Sequence, residues 1–187
     1  SVYEVMKGVT MDKRISPYFL NAGIGFGGSC FPKDVKAFIS LGKAYGENMD
    51  ILNAVIRVNE QQPLKAVELL KKHASLNGLA VGILGLAFKP NTDDIRESRS
   101  IPIIKALLEE GAKVYAYDPK AMDNMKKIFP EVIYCESKEE VVEKCEAIII
   151  ATEWDEFKEI DYSGKIVIDG RKVIKPGNDF TYEGVCW

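Results

Sequence analysis

The spacing of apolar positions changes character once along the chain. Over the first seventy-odd residues apolar side chains recur three and four positions apart, the period of a helix with one buried face. Val2, Val5, Met6 and Val9 predict a helix tail over residues 2–11, and Val35, Phe38, Ile39 and Leu41 predict a helix over 31–45 that ends near Gly46. A longer helical pattern runs over 49–73, through Ile51, Leu52, Val55, Ile56 and Val58 and then Leu64, Val67, Leu69 and Leu70. Pro63 should kink or break it, because proline removes a backbone donor and its ring crowds the preceding turn. From Leu79 onward, short apolar runs at 79–84, 113–117, 132–134, 147–151 and 166–168 predict strands, separated by helical stretches at 101–110, 121–128 and 138–144. No polar residue interrupts Ile148-Ile149-Ile150, so that strand should be buried on both faces. Strands alternating with helices give a parallel sheet with right-handed crossovers. The expected fold class is therefore α/β: an all-helical segment over 1–77, then a doubly wound parallel sheet over 78–187. Short helices cannot cover their own apolar faces, so a second copy or a further domain is expected against the first segment.

Composition narrows the function more than the fold. At 187 residues, 47% of them hydrophobic, the chain can bury one ordinary core and a smaller neighbour. A net charge of −3 gives no bulk attraction to nucleic acid or to an anionic membrane, so neither is expected as a partner. No apolar run approaches the roughly 18 residues that a membrane-spanning helix needs. Cys30, Cys135, Cys145 and Cys186 form no Cys-x-x-Cys pair and no metal-ligand spacing with the single histidine, His73. No metal is expected, and a reducing cytoplasm suits such cysteines.

The densest chemistry lies in Gly23-Ile24-Gly25-Phe26-Gly27-Gly28-Ser29-Cys30-Phe31-Pro32-Lys33-Asp34. Four glycines in six positions permit torsions and close approaches that other residues resist. Pro32 marks a helix start, so the Cys30 sulfur should lie at a helix N-terminus, where negative charge is favoured, beside the cation of Lys33. Those surroundings suit a nucleophilic thiol. A structural cysteine beside a tight turn remains the alternative.

The stretch GFGGSCFPKD, residues 25–34, resembles the catalytic-cysteine motif of the nucleotide-sugar 6-dehydrogenases, the UDP-glucose/GDP-mannose dehydrogenase family. FKPNTDDIRESRS at 88–100, TEWDEF at 152–157 and DGR at 169–171 resemble that family's later signatures in the same order, so the likeness covers nearly the whole chain. It implies a central helical dimerisation region over 1–77 and a Rossmann-like UDP-sugar-binding domain over 78–187. It also implies an NAD-binding domain that precedes this region and is absent from the sequence, which begins at Ser1 and reads as the C-terminal half of a dehydrogenase. By the same resemblance Cys30 is the nucleophile and Asp34 assists the catalytic water. Phe19, Leu20, Asn21, Ala22, Gly23, Gly27, Lys89 and Arg171 contact the sugar nucleotide, and Arg14 reaches across a homodimer to the neighbouring subunit's substrate. Lys33 and Arg96 lie near NAD.

The implied reaction is the four-electron oxidation of UDP-glucose to UDP-glucuronate, through a thiohemiacetal and a thioester on Cys30. TEWDEF and DGR favour UDP-glucose, while TDDIRES suits dehydrogenases of GDP-mannose and UDP-N-acetyl-hexosamine equally. Lacking the first domain, the chain alone is expected to bind a nucleotide-sugar weakly and not to turn over. The rival readings are a non-catalytic UDP-sugar-binding or dimerisation module, a split-gene subunit, or a cysteine hydrolase, for which lone His73 is poorly placed. Two further residues keep a plain reading. Asp118 is a turn residue before Pro119, and Trp154 is a packing residue.

Overall fold

The computed structural model describes residues 1–15 and 21–187. Helix α1 (Val2–Val9) is closed by a capping box in which the Ser1 hydroxyl accepts from the Tyr3 N–H and the Glu4 side chain returns to the Ser1 backbone. Helix α2 (Phe31–Ala44) carries Pro32 in its first turn. The predicted 49–73 helix is two helices, α3 (Asp50–Gln61) and α4 (Leu64–Lys71), parted at Pro63 as the missing N–H requires.

The sheet holds six parallel strands in the order β3-β2-β1-β4-β5-β6. They are β1 (Ala80–Leu84), β2 (Lys113–Tyr117), β3 (Ile133–Tyr134), β4 (Ala147–Ile150), β5 (Ile166–Asp169) and β6 (Thr181–Gly184). Between them run α5 (Ser100–Glu109), α6 (Met122–Lys126), α7 (Lys138–Lys144) and a 3-10 turn, Asp155–Glu159. Sequence order reverses direction beside β1, the strand order of a Rossmann-like doubly wound sheet, in which ligands bind beyond the carboxyl ends of the strands. The sixth strand was not expected from the sequence.

Alternating side chains divide the core between the two faces of the sheet. Val81, Ile83, Ile149 and Ile168 join Ile103, Ile104 and Leu107 of α5 and Ala66, Val67 and Leu70 of α4. Leu84, Ile148, Ile150 and Val167 join Val141 and Val142 of α7 with Phe157. Strand β4 thus feeds both cores, as its unbroken isoleucines predict. Helix α4 belongs to the sheet's own packing, whereas α1 buries no residue and α2 and α3 bury few.

Asp118, just beyond β2, is fully buried and does more than shape a turn. Its carboxylate accepts from the N–H groups of Leu86 (2.7 Å) and Ala87 (3.1 Å) after β1, of Lys120 and Ala121 (both 2.8 Å), and from the Trp154 indole (3.1 Å) after β4. Three loops at the carboxyl edge are thereby tied to one side chain. Replacing Asp118 with Ala strands these buried donors, and each stranded donor costs about 1–3 kcal/mol. Asp118→Ala should therefore lose about 3 kcal/mol or more in urea denaturation.

Candidate functional site

The glycine-rich turn leaves the helical segment and lies across the carboxyl edge of the sheet. Its backbone groups have no helix or strand to pair in, so they pair with what they touch. Ile24, fully buried, donates its N–H to the Gly170 carbonyl after β5 (3.2 Å), and Gly28 donates to the Arg96 carbonyl (2.9 Å). Asn59 accepts from the Phe26 N–H (2.7 Å) and donates to the Phe26 carbonyl (3.0 Å), while Gln62 donates to the Gly23 carbonyl (3.1 Å). Gly25 has φ +102°, and a Cβ there would lie 2.6 Å from Asn59 Oδ1. Gly28 has φ +85°, with the Phe88 ring pressed against it. Neither position accepts a side chain.

Cys30 follows at the N-cap of α2, and its carbonyl receives the first helical bond from Asp34 (2.8 Å). The sulfur is exposed, 3.7 Å from Ser29 Oγ. It therefore stands at the helix N-terminus that Pro32 foretold.

Among the described residues, clefts open beside the turn, two of them lined by its glycines. One, of about 720 Å³, is lined by Asn21, Ala22, Gly23, Gly25, Phe26 and Arg171 among others. Arg171 is fastened there. Its Nε donates to the Ala151 carbonyl (3.1 Å) and lies 3.5 Å from the Glu153 carboxylate, and its N–H donates to Asp169 (2.9 Å). Burial pushes the Arg171 guanidinium down and the Asp169 carboxyl up, and Glu153 opposes the first shift. Tyr3 lines a smaller neighbouring cleft of about 200 Å³ that shares Asn21, Ala22, Glu153 and Arg171 with the first. Its hydroxyl donates to the Ala22 carbonyl (3.3 Å), the Lys172 ammonium lies 3.4 Å above its ring, and Trp187 meets it edge-on at 5.9 Å.

The second cleft, of about 600 Å³, is lined by Gly28, Ser29, Lys33, Lys36, Arg96 and Glu97, so that three cations share it with the residue before Cys30. Arg96 holds Asp94 in a fork (Nη2 to Oδ2, 2.7 Å) that keeps this carboxyl below its usual range. Lys36 pairs with Glu97 at 3.1 Å; burial of Glu97 opposes its ionisation, but Lys36 and Arg99 hold its carboxyl down.

Asn21, Ala22, Gly23 and Arg171 therefore share one cleft and Lys33 and Arg96 share the other, while Cys30 and Gly27 line neither and are joined in sequence to residues of both. Asp34 is exposed and pairs with Lys33 at 3.4 Å. Lys89 is exposed, with its ammonium 5.4 Å from the Phe88 ring. Arg14 is held by Asp12 at 2.6 Å, its side chain largely in solvent, and is not brought to the clefts. Phe19 and Leu20 lie outside the described residues. The sequence reading missed Asn59, Gln62, Arg99 and Glu153. Only Glu153 and Arg99 fall within recognisable motifs.

Residues 82–176 match the model of the UDP-glucose/GDP-mannose dehydrogenase family's UDP binding domain, and residues 1–61 match that of its central domain. The chain belongs to this family. It is 43% identical over 187 residues to UDP-glucose 6-dehydrogenase AglM of Haloferax volcanii, a match over 97% of this chain and 44% of the relative. The UDP-glucose 6-dehydrogenase of Rickettsia bellii is 41% identical over 185 residues, covering 93% of this chain and 43% of the relative. Among solved structures, a UDP-glucose dehydrogenase from the hyperthermophilic archaeon Pyrobaculum islandicum superposes with TM-score 0.90 at 47% identity, over 99% of this chain and 43% of that one. A GDP-mannose dehydrogenase from Pseudomonas aeruginosa superposes with TM-score 0.82 at 28% identity, over 98% of this chain and 45% of that one. The chain thus spans rather under half the length of these family members.

The four cysteines should differ sharply towards iodoacetamide. Cys135 and Cys145 are buried, and burial pushes the Cys145 thiol up to about 12. Peptide mapping of the native chain after brief alkylation should find Cys30 labelled first, and Cys135 and Cys145 only after denaturation.

Proposed function

We propose that this chain is the nucleotide-sugar-binding and cysteine-bearing part of an NAD-dependent UDP-glucose 6-dehydrogenase of the cytoplasm. Residues 1–77 form the central dimerisation region in this reading, and 78–187 the UDP-binding domain. The observation that carries it is the exposed Cys30 sulfur at a helix N-terminus, flanked in sequence by Phe31, which lines the cleft that holds Arg171, and by Ser29, which lines the cleft of cations. The first cleft takes the UDP-sugar. Backbone groups of Asn21, Ala22 and Gly23 meet its polar oxygens, and Arg171 meets its charge. Lys89 reaches the sugar nucleotide from the loop after β1, and Phe19, Leu20 and Gly27 complete the contact surface. Arg14 serves the neighbouring subunit's substrate.

The cation-lined cleft suits the pyrophosphate of NAD, through Arg96 and Lys33. The sheet lobe's own β1 turn does not suit NAD, because the acid at the end of β2 is taken up by five internal donors. When bound, NAD would accept the electrons of both two-electron oxidations. Cys30 adds to the aldehyde at the sugar's terminal carbon, forming a carbon–sulfur bond and a hydroxyl. Oxidation of that adduct leaves a thioester on the sulfur. Water, oriented by Asp34, displaces the sulfur, yielding the carboxylate and the free thiol. Covalent capture also keeps the aldehyde from escaping.

A second reading, a module that binds UDP-sugar without chemistry of its own, is favoured by the same engaged Asp118. The two separate by Cys30→Ala in the full-length assembly, where loss of NADH production supports the first reading and retained activity the second. Calorimetry should detect UDP-glucose binding to the chain, weakened at least tenfold in Arg171→Ala by loss of a charge-assisted contact. Absorbance should show no NADH formed when NAD is added. NADH production by the chain alone would overturn the division of labour, and absence of UDP-glucose binding would overturn the whole reading.

The exposed apolar faces of α1–α3 make a homodimer the natural cover. Phe38, Leu41, Ile51 and Val58 are each more than half exposed. In sedimentation the chain should run as a dimer, and Leu41→Glu with Ile51→Glu should shift it to monomer.

A further inference from the structure

We propose that Asn59 is a positioning residue, whose side chain clamps the Phe26 peptide and so holds the turn that presents Cys30. This deepens, and rests on, the reading of that turn as the reactive one. Asn59 lies in the last turn of α3, where a polar side chain would ordinarily face water, yet it is 7% exposed. Its two polar atoms are both spent on one residue thirty-three positions away, accepting from the Phe26 N–H at 2.7 Å and donating to the Phe26 carbonyl at 3.0 Å. The pairing fixes the amide's orientation, since an N–H faces one atom and a carbonyl the other. It gives the turn the two bonds that a neighbouring strand would have given.

The main chain of Asn59 is engaged as well. Pro63, four residues on, has no N–H to offer its carbonyl, and Arg99 approaches that carbonyl instead at 3.5 Å. Arg99 is 6% exposed. Its remaining donors grip the Glu97 carbonyl (2.9 and 2.7 Å) and carboxylate (2.9 Å). Glu97 needs that grip, for it stands at φ +52° without being a glycine. Its neighbour Arg96 in turn supplies the carbonyl that Gly28 donates to. At the C-cap of α3, three residues on, Gln62 holds Gly23. The far end of a helix and one buried guanidinium thus fasten the turn at Gly23, Phe26 and Gly28, on the side facing the UDP-sugar cleft and on the side facing Cys30.

The test uses the 187-residue chain and Asn59→Asp, which keeps the shape and replaces the donor with a titratable oxygen. Ionised, the new carboxylate faces the Phe26 carbonyl and repels it. Protonated, it donates as the amide did. Burial beside a carbonyl raises such a carboxyl's pKa, so the clamp is lost at alkaline pH and regained as pH falls. Calorimetry should show UDP-glucose binding about tenfold weaker than wild type at alkaline pH, with the ratio of the two affinities approaching one in acid. A side chain that only stabilises the fold would lower the melting temperature and leave that ratio flat, which overturns the proposal. If the wild-type chain does not bind UDP-glucose, the proposed function fails. The clamp is then read from iodoacetamide alkylation of Cys30, where a variant-to-wild-type rate ratio independent of pH overturns it. Hydrogen exchange on the unmutated chain needs no variant to fold. The Phe26 amide should exchange slowly although it lies in a turn, and exchange as fast as an exposed loop amide would also overturn the proposal.

Discussion

A turn built from glycine has backbone donors and acceptors and almost nothing else, and when it is pressed between two layers water cannot reach them all. Every such group must find a partner in the surrounding protein. In this chain the partners come from three directions: the Gly170 carbonyl beyond β5, the Arg96 carbonyl beyond β1, and the side chains of Asn59 on α3 and of Gln62 at its C-cap. The position of the Cys30 sulfur follows from satisfying that requirement, because the turn runs straight into the helix whose N-cap is Cys30.

The same requirement explains why helices and sheet are not independent pieces. Helix α4 packs into the sheet's own core through Ala66, Val67 and Leu70, and α3 is continuous with it except for the proline joint. The arm that holds the turn is therefore anchored in the core of the sheet. On the proposed reading, substrate and oxidant approach the sulfur from opposite sides of one backbone segment. Arg171 stands behind the first side; Lys33, Lys36 and Arg96 stand behind the second. Electrostatics distinguishes them. Arg171 is partly buried and countered by Glu153, whereas Arg96 and Lys33 are exposed and screened by water.

Periodicity was a sound guide where burial is one-sided or complete. The helical spacing of α2, the break at Pro63 and the doubly buried β4 all follow from where apolar residues fall. Strand β6 escaped because Thr181-Tyr182-Glu183-Gly184 sits at the sheet edge, half exposed, with no apolar run to mark it. The glycine turn and its cysteine were legible because glycines, proline and lysine cluster within a dozen residues. What holds the turn was not. Asn59 is a polar residue in a helical run, and nothing local says that its amide meets Phe26 rather than water. In hindsight the signal was Pro63, which four residues on must orphan a carbonyl. Its place before Pro119 marks Asp118 as a turn-former, and its bonds to Lys120 and Ala121 fit that. Its bonds to Leu86, Ala87 and Trp154 depend on strand order, which no local window contains.

Asp118 stands where a dinucleotide fold keeps the acid that reads a cofactor's ribose. Turned inward, it has become mortar between three loops. A mutation that freed it to face a ligand would first have to supply five other acceptors, or the carboxyl edge would loosen. The carboxylate is thus committed to the cohesion of the sheet's rim, and a ribose offered there would compete with the fold itself for the same two oxygens.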